Sequence, residues 1–192
     1  NLHGGSDVEG LINRIYALTP KLVVLDLTNC ELNNESLVAL NQFKHLRELN
    51  FKRCWGYEPK TFEEMTQLTV LQKMALWGGG CNDEGLIHLV KFTPLRDMDL
   101  QSCSGISNKG MNEFTALTSL TRLHLGWCKN ISGDGLKSLA ALKGLRRLSV
   151  CYCRQLVRTD IVALSLLTQL TDLDLSGCHK VDDSCTTSLA KL

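Results

Sequence analysis

The chain of 192 residues carries 21 lysine and arginine residues against 20 aspartate and glutamate residues, which leaves a net charge of +1. Binding to nucleic acid usually needs a strongly basic surface, so this balance argues against nucleic acid as the main ligand. The sequence also lacks an apolar run of about 18 residues, so we predict no transmembrane helix and no insertion into a membrane.

Residues 1–21 fit the helix of an incomplete repeat, because apolar residues recur there at helical spacing. After them, the pattern Leu-x-x-Leu-x-Leu-x-x-Cys recurs in steps of 24 or 25 residues. The leading residues of these seven copies, here called repeats 1 to 7, are Leu22, Leu46, Leu71, Leu95, Leu120, Leu145 and Leu170. Repeat 3 departs from the pattern, since Gly79 takes the cysteine position and Cys81 follows two residues later.

Repeat 5 shows how one unit is expected to fold. Leu123 and Leu125 alternate with polar residues, which predicts a short strand with one buried face. Ser132 is a candidate helix N-cap, and leucines at helical spacing follow it. Each repeat is therefore predicted to run strand, turn, helix, turn.

The regular period and the leucine pattern are typical of a leucine-rich repeat solenoid. We therefore predict an α/β fold, a right-handed horseshoe with short parallel strands on the concave face and helices on the convex face. Neighbouring repeats bury their core against each other, so residues 1–192 are expected to form a single domain. Neither end shows an obvious polar capping repeat, which predicts that the sequence is part of a longer protein.

The extended pattern L-x-x-L-x-L-x-x-C-x-x-I-S/T-x-x-G-L resembles the cysteine-containing subfamily of leucine-rich repeats, as found in the repeat half of F-box proteins. Residues 103–111 and 128–136 match it well, whereas Gly79, Val157, Asp160 and Cys185 depart from it. The resemblance implies a protein-interaction module that serves as the substrate-recognition part of an F-box-type ubiquitin ligase. No F-box helix cluster lies within these residues, so that role follows from the family alone.

Six of the nine cysteines occupy one position of the repeat, which predicts a straight column of thiols about 4.8 Å apart. Such a column suits neither tetrahedral zinc nor disulfide geometry, so we expect buried, reduced, structural cysteines and no metal or cofactor. Reduced cysteines in turn favour the cytoplasm or the nucleus.

Function is expected among the polar positions between the buried leucines, which would line the concave face in columns. Aromatic and arginine side chains are frequent anchors of protein interfaces. The predicted partner-binding residues on this face are Trp127, Tyr152, Arg147, Arg122, His124, Trp77, Lys52, Arg53, Asp99 and Gln101. The alternative for the aromatic residues is that they pack on one another, and for His124 that it is an ordinary polar surface residue.

Charges alternate along the column that opens each strand. The expected ion pairs in this column are Glu48 with Lys73, Lys73 with Asp97, Asp97 with Arg122, and Arg147 with Asp172. Arg122 beside Arg147 breaks the alternation and costs energy unless an anionic group lies between them.

The leading hypothesis is an intracellular scaffold that binds a partner protein through its concave face. The alternative is a structural array in a larger cytoskeletal or membrane-associated complex. A third hypothesis makes Cys151 a reactive thiol of an enzyme or redox sensor. The sequence shows neither a catalytic motif nor a site for a small-molecule substrate, so we predict that the chain is not an enzyme.

Overall fold

The computed structural model describes residues 7–78 and 80–182. Within them, three-residue strands form one parallel sheet in chain order. The strands are β1 (Val24–Asp26), β2 (Glu48–Asn50), β3 (Lys73–Ala75), β4 (Asp97–Asp99), β5 (Arg122–His124), β6 (Arg147–Ser149) and β7 (Asp172–Asp174). One strand comes from each repeat, and this arrangement confirms the predicted leucine-rich repeat solenoid.

Helical segments connect the strands. The α-helices are α1 (Val8–Leu18), α2 (Asn34–Ala39), α3 (Asp83–Leu89), α4 (Asn108–Met111) and α5 (Gly133–Ser138). The 3-10 helices are Leu40–Gln42, Pro59–Glu64, Asn112–Ala116, Leu139–Ala141 and Arg158–Leu166. The helix expected in repeat 7 lies outside the described residues.

Repeats 2 and 6 have a helix after the strand, as predicted, but it is a 3-10 helix rather than an α-helix. Asn or Ser stands at the N-cap wherever a repeat forms an α-helix, whereas Glu58 and Val157 stand there in repeats 2 and 6. The side chains of Asn33, Asn82 and Ser107 each accept a hydrogen bond from an N–H of the first turn, which a Val side chain cannot do. Ser132 is the N-cap of α5 as predicted, but its side chain makes no capping hydrogen bond.

The core consists of the repeat leucines and their equivalents, which are aligned from strand to strand. Leu25 pairs in register with Leu49, and Leu123 with Leu148. These side chains are buried, as is the leading leucine in repeats 2 to 7. Within the described part of the chain, no helix has the length and apolar character needed to cross a membrane.

The cysteine column is buried and bonded to the backbone of the preceding repeat. The thiols of Cys54, Cys103, Cys128, Cys153 and Cys178 donate to the carbonyl oxygens of Leu27, Leu76, Leu100, Leu125 and Val150, at 2.9 Å for Cys54 and 3.2 Å for the others. The cysteines of the described residues form no disulfides. Burial raises the pKa of the Cys54 thiol to about 11 and that of the Cys153 thiol to about 12. These thiols are therefore neutral structural groups at physiological pH.

A second ladder joins the helix starts of successive repeats. Asp83 accepts hydrogen bonds from the N–H and hydroxyl of Ser107, and Asn108 Oδ1 accepts from the N–H of Ser132. Repeat 5 has Gly133 at the equivalent position, and a Cβ atom there would overlap the Asp160 carboxylate. Asp160 instead accepts from the N–H of Val157 at 3.0 Å, so it supplies the hydrogen bond that Gly133 cannot.

Candidate functional site

The strands place their polar residues in three aligned columns on the concave face. The first column is Val24, Glu48, Lys73, Asp97, Arg122, Arg147 and Asp172. The second, two residues later in each strand, is Asp26, Asn50, Ala75, Asp99, His124, Ser149 and Asp174. The third, just past the strand ends, is Thr28, Lys52, Trp77, Gln101, Gly126, Cys151 and Ser176.

The first column forms only part of the predicted ion-pair ladder. Arg122 Nε lies 3.0 Å from Asp97 Oδ2, and Lys73 Nζ lies 3.9 Å from Glu48 Oε2. The two other expected pairs, Lys73 with Asp97 and Arg147 with Asp172, are absent, so that part of the prediction was wrong. Asp97 is nearly buried and pairs with Arg122, so Lys73 pairs with Glu48 instead.

Arg147 is exposed and makes no ion pair within the described residues, although it lies in register between Arg122 and Asp172. It shares a shallow depression with Asp172, Asp174 and His124. The structure thus brings Arg122, Arg147 and His124 onto adjacent strands β5 and β6, as the sequence predicted.

Lys52, Asp99 and Gln101 form a second group, in repeats 2 to 4. Lys52 Nζ lies 2.9 Å from Asp99 Oδ2, two strands away, and this pair spans the small residue Ala75. The N–H of Gln101 donates to Asp99 Oδ1 at 3.1 Å. Asp99 is therefore bound by Lys52 and by the backbone of its own repeat. Pairing of adjacent strands does not predict the contact with Lys52, because that contact skips one repeat.

The residue that follows the third column has a left-handed backbone in every repeat. The φ angles are 60° for Asn29, 55° for Arg53, 95° for Gly78, 60° for Ser102, 65° for Trp127, 57° for Tyr152 and 69° for Gly177. Gly and Asn adopt this conformation readily, whereas bulky residues pay about 1–2 kcal/mol for it. The sequence signal of this turn is glycine or asparagine at the same position of repeats 1, 3 and 7, namely Asn29, Gly78 and Gly177. We call this row the rim.

Two aromatic residues of the rim stack on each other. The rings of Trp127 and Tyr152 lie 4.1 Å apart between centroids, with 10° between their planes. The Tyr152 ring occupies the space that a Cβ atom of Gly177 would need. Trp127 remains 47% exposed, so packing against Tyr152 leaves much of its surface in contact with solvent.

Arg53 and Trp77 form a separate cluster further along the rim. The Arg53 guanidinium carbon lies 4.4 Å from the Trp77 ring centroid, and Trp77 Nε1 donates to Ser102 Oγ at 3.1 Å. Trp77 is half-buried in these contacts. The Trp77 ring therefore packs against Arg53 and Ser102 rather than against another aromatic residue.

The predicted patch in repeats 5 and 6 extends from the start of β5 to the rim. Arg122 is the first residue of β5, and Trp127 lies five residues later in the turn past the strand end, so their Cα atoms are less than about 16 Å apart. Between them lie His124, half-buried, and Gly126, whose missing side chain leaves room for the Cys151 thiol. A ligand that contacts both ends of the patch must reach from β5 to the rim.

Cys151 is half-buried against Gly126 and within reach of Asp174, whose pKa is lowered chiefly by hydrogen bonds from Ser176. The described residues contain no group of His, Cys, Asp and Glu side chains suited to a metal ion. His3 and Cys185 lie outside the described residues.

Comparisons with known proteins place the fold. A family model described as "Leucine Rich repeat" matches residues 20–40 and 116–140, and no curated protein matches the chain. An internalin, InlF, from Listeria monocytogenes is similar at 20% identity with a TM-score of 0.54; the match covers 97% of this chain and 63% of that one. Internalin C2 of the same organism gives 17% identity and a TM-score of 0.61, covering 100% and 96%. The present chain thus spans less than two thirds of the InlF structure.

A structure of the Rad7 and Elc1 complex in yeast shows 17% identity, with a TM-score of 0.46 and coverage of 90% of this chain and 67% of that one. The partial family match and the two internalin structures show that the chain has the leucine-rich repeat fold. Proteins of this class generally act in protein–protein interaction, since the solenoid presents an extended concave surface.

Proposed function

We propose that this chain is an intracellular scaffold that binds a partner protein through the concave face and rim of repeats 5 and 6. The observation that carries the proposal is the exposed stack of Trp127 on Tyr152. Aromatic residues in this costly backbone conformation are not needed for the solenoid turn, because glycine or asparagine occupies the same position in other repeats.

The stack suits an interface anchor. Its rings are held against each other and against Gly177, so little side-chain entropy is lost when a partner covers them. Exposed aromatic surface of this kind contributes much of the affinity in protein interfaces. Trp127 and Tyr152 are therefore the proposed centre of the binding site.

Other residues have proposed roles that follow from their contacts. Arg147, which has no ion pair within the described residues, would contact an acidic or polar group of the partner, with Arg122 and His124 beside it. The already paired residues Lys52, Arg53, Trp77, Asp99 and Gln101 would form a preordered surface that contributes shape more than new ionic contacts.

The buried, reduced cysteine column supports an intracellular location, and the resemblance to cysteine-type repeats supports substrate recognition in an F-box-type ubiquitin ligase. In that role the concave face would hold the substrate, while a segment outside these residues would contact the ligase. The role is tested by asking whether the captured partner is ubiquitinated in a manner that depends on this chain.

The binding proposal is tested by affinity capture from cell extract. Wild-type protein is compared with the triple variant Trp127→Ala, Tyr152→Ala, Arg147→Glu. The matched control carries Ile87→Ala, Val162→Ala and Lys143→Glu, since these exposed residues lie away from the concave face. We expect specific partners to be lost with the first variant and retained with the control.

A purely structural array predicts the opposite result. In that case, substitutions on the concave face leave every association intact. If the triple variant captures the same proteins in the same amounts as the wild type, the proposed binding face is wrong.

A further inference from the structure

The loop that follows the cysteine position carries a different charge in different repeats. The residue that follows the cysteine position in successive repeats is Glu31, Trp55, Gly80, Ser104, Lys129, Arg154 and His179. Repeat 1 is thus acidic at this position, repeats 2 to 4 are neutral, and repeats 5 to 7 carry basic side chains.

Lys129 and Arg154 lie close to the stack. Each comes two residues after its aromatic neighbour, Trp127 or Tyr152, so the paired Cα atoms are at most about 7 Å apart. Both basic side chains are exposed, and neither forms an ion pair within residues 7–78 and 80–182. Basic side chains without an ion pair therefore flank the exposed Trp127 and the half-buried Tyr152 on two successive repeats.

We infer that the rim of repeats 5 and 6 binds a short acidic segment of a partner protein, with carboxylates over Lys129 and Arg154 and an apolar side chain on Trp127. The inference rests on the proposed function and specifies the chemistry of its ligand. Lys129 and Arg154, beside the rim, carry the charge complementary to an acidic segment, because exposed cations steer and orient an anionic partner.

A protein ligand fits the surrounding charges better than a nucleic acid does. Single-stranded nucleic acid also stacks on aromatic residues, but it needs a cationic groove that follows its backbone over several nucleotides. Here Asp172 and Asp174 lie on the adjoining concave face of repeat 7, and the chain as a whole carries a net charge of +1. The cationic strip is therefore short and bordered by carboxylates, which suits a few acidic residues followed by apolar ones.

The test uses a fluorescein-labelled peptide of repeating Asp-Glu-Phe units, whose binding is followed by fluorescence anisotropy. Binding is measured for the wild type, for Lys129→Glu with Arg154→Glu, and for Trp127→Ala. The matched control is Lys44→Glu with Lys143→Glu, which makes the same change of net charge at exposed, equivalent turns of repeats 1 and 5. Circular dichroism checks that each variant is folded.

We expect the double variant Lys129→Glu, Arg154→Glu and the single variant Trp127→Ala each to weaken peptide binding by about tenfold or more. The control variant should weaken it by less than about twofold. Binding should also weaken as salt is raised, because exposed charges are screened. The inference is overturned if the peptide does not bind, or if the Lys129→Glu, Arg154→Glu variant and the control variant weaken peptide binding equally. It is also overturned if a Lys-Arg-Phe peptide binds with the same affinity as the acidic peptide. Tighter binding of a deoxythymidine oligonucleotide would also overturn it, in favour of nucleic acid.

The outcome can be separated from that of the proposed function. If partners captured from extract are lost with Trp127→Ala and Tyr152→Ala but retained with Lys129→Glu and Arg154→Glu, the binding face stands and the acidic ligand does not. If neither pair of substitutions affects the captured partners, both proposals fail.

Discussion

Trp127 and Tyr152 stack at 4.1 Å between ring centroids while both residues hold a left-handed backbone, with φ of 65° and 57°. The stack recovers part of the backbone cost, since an aromatic pair contributes about 0.5–1.5 kcal/mol beyond its buried area. The rim therefore holds aromatic side chains at positions where the fold alone would favour glycine.

The backbone cost can be measured at Trp127 by comparing two variants that both remove the ring. Trp127→Ala keeps a Cβ atom in the left-handed conformation, whereas Trp127→Gly does not. We expect the glycine variant to be more stable than the alanine variant by about 1 kcal/mol, measured by urea denaturation. At Ile87, an exposed residue inside α3, the same comparison should favour alanine. Equal stability of the two Trp127 variants would show that the left-handed backbone costs little.

The helix-start ladder predicts strong coupling between Gly133 and Asp160. Gly133→Ala should destabilise the protein by about 1–3 kcal/mol, because its Cβ atom would overlap the Asp160 carboxylate. Asp160→Gly removes that obstacle, and Gly133→Asn can then supply the hydrogen bond that Asn108 supplies one repeat earlier. We expect the swapped double variant to be more stable than Gly133→Asn alone. Additive effects in a double-mutant cycle would refute the coupling.

The cysteine column predicts a loss of stability at alkaline pH. The thiol of Cys153 ionises near its ordinary pKa of 9.0 in the unfolded chain but near 12 in the folded protein. Folding therefore favours the protonated thiol: its contribution is constant below about pH 9 and falls as the pH rises toward 12, by up to about 1.4 kcal/mol per pH unit. Denaturation at about pH 8 and about pH 10 should show a shallower decline for Cys153→Ala than for the wild type. An identical decline would contradict the assignment.

Arg122 and Arg147 are neighbours in register with different contacts, so the same substitution should act differently at each. Arg122→Gln leaves the nearly buried Asp97 without its cation and should cost about 1–3 kcal/mol in the free energy of unfolding. Arg147→Gln removes an exposed charge beside Arg122 and should change stability by less than about 0.5 kcal/mol. Thermal denaturation compares the two. A larger loss for Arg147→Gln would mean that its charge is needed by the fold.

The solenoid could be predicted from the sequence because its information is local and repeated. A residue such as Leu123 occupies a position that recurs every 24 or 25 residues, and each copy of the pattern predicts a strand at the same place in its repeat. The aligned columns followed directly, since parallel strands of equal length stack in register. The pairing of Arg122 with Asp97 was predictable for the same reason.

Details that depend on side-chain size or backbone conformation were not predictable in this way. Lys52 reaches past repeat 3 to Asp99 only because Ala75 is small. The stack of Trp127 on Tyr152 requires that both residues adopt a left-handed backbone, which aligning the repeats in sequence does not show for aromatic residues. The alternation of charges predicted a pair between Arg147 and Asp172 that the structure lacks, because register fixes Cα positions and not the rotamers of long side chains.

The most direct test of the binding account is a calorimetric titration of a purified partner against the wild type and the double variant Trp127→Ala, Tyr152→Ala. If the stack is the centre of the interface, we expect the double variant to bind at least about 30-fold more weakly, a loss of about 2 kcal/mol. A control with Ile87→Ala and Val162→Ala should bind like the wild type. Unchanged affinity for the stack variant, together with weaker binding by this control, would show that the partner uses the convex face instead.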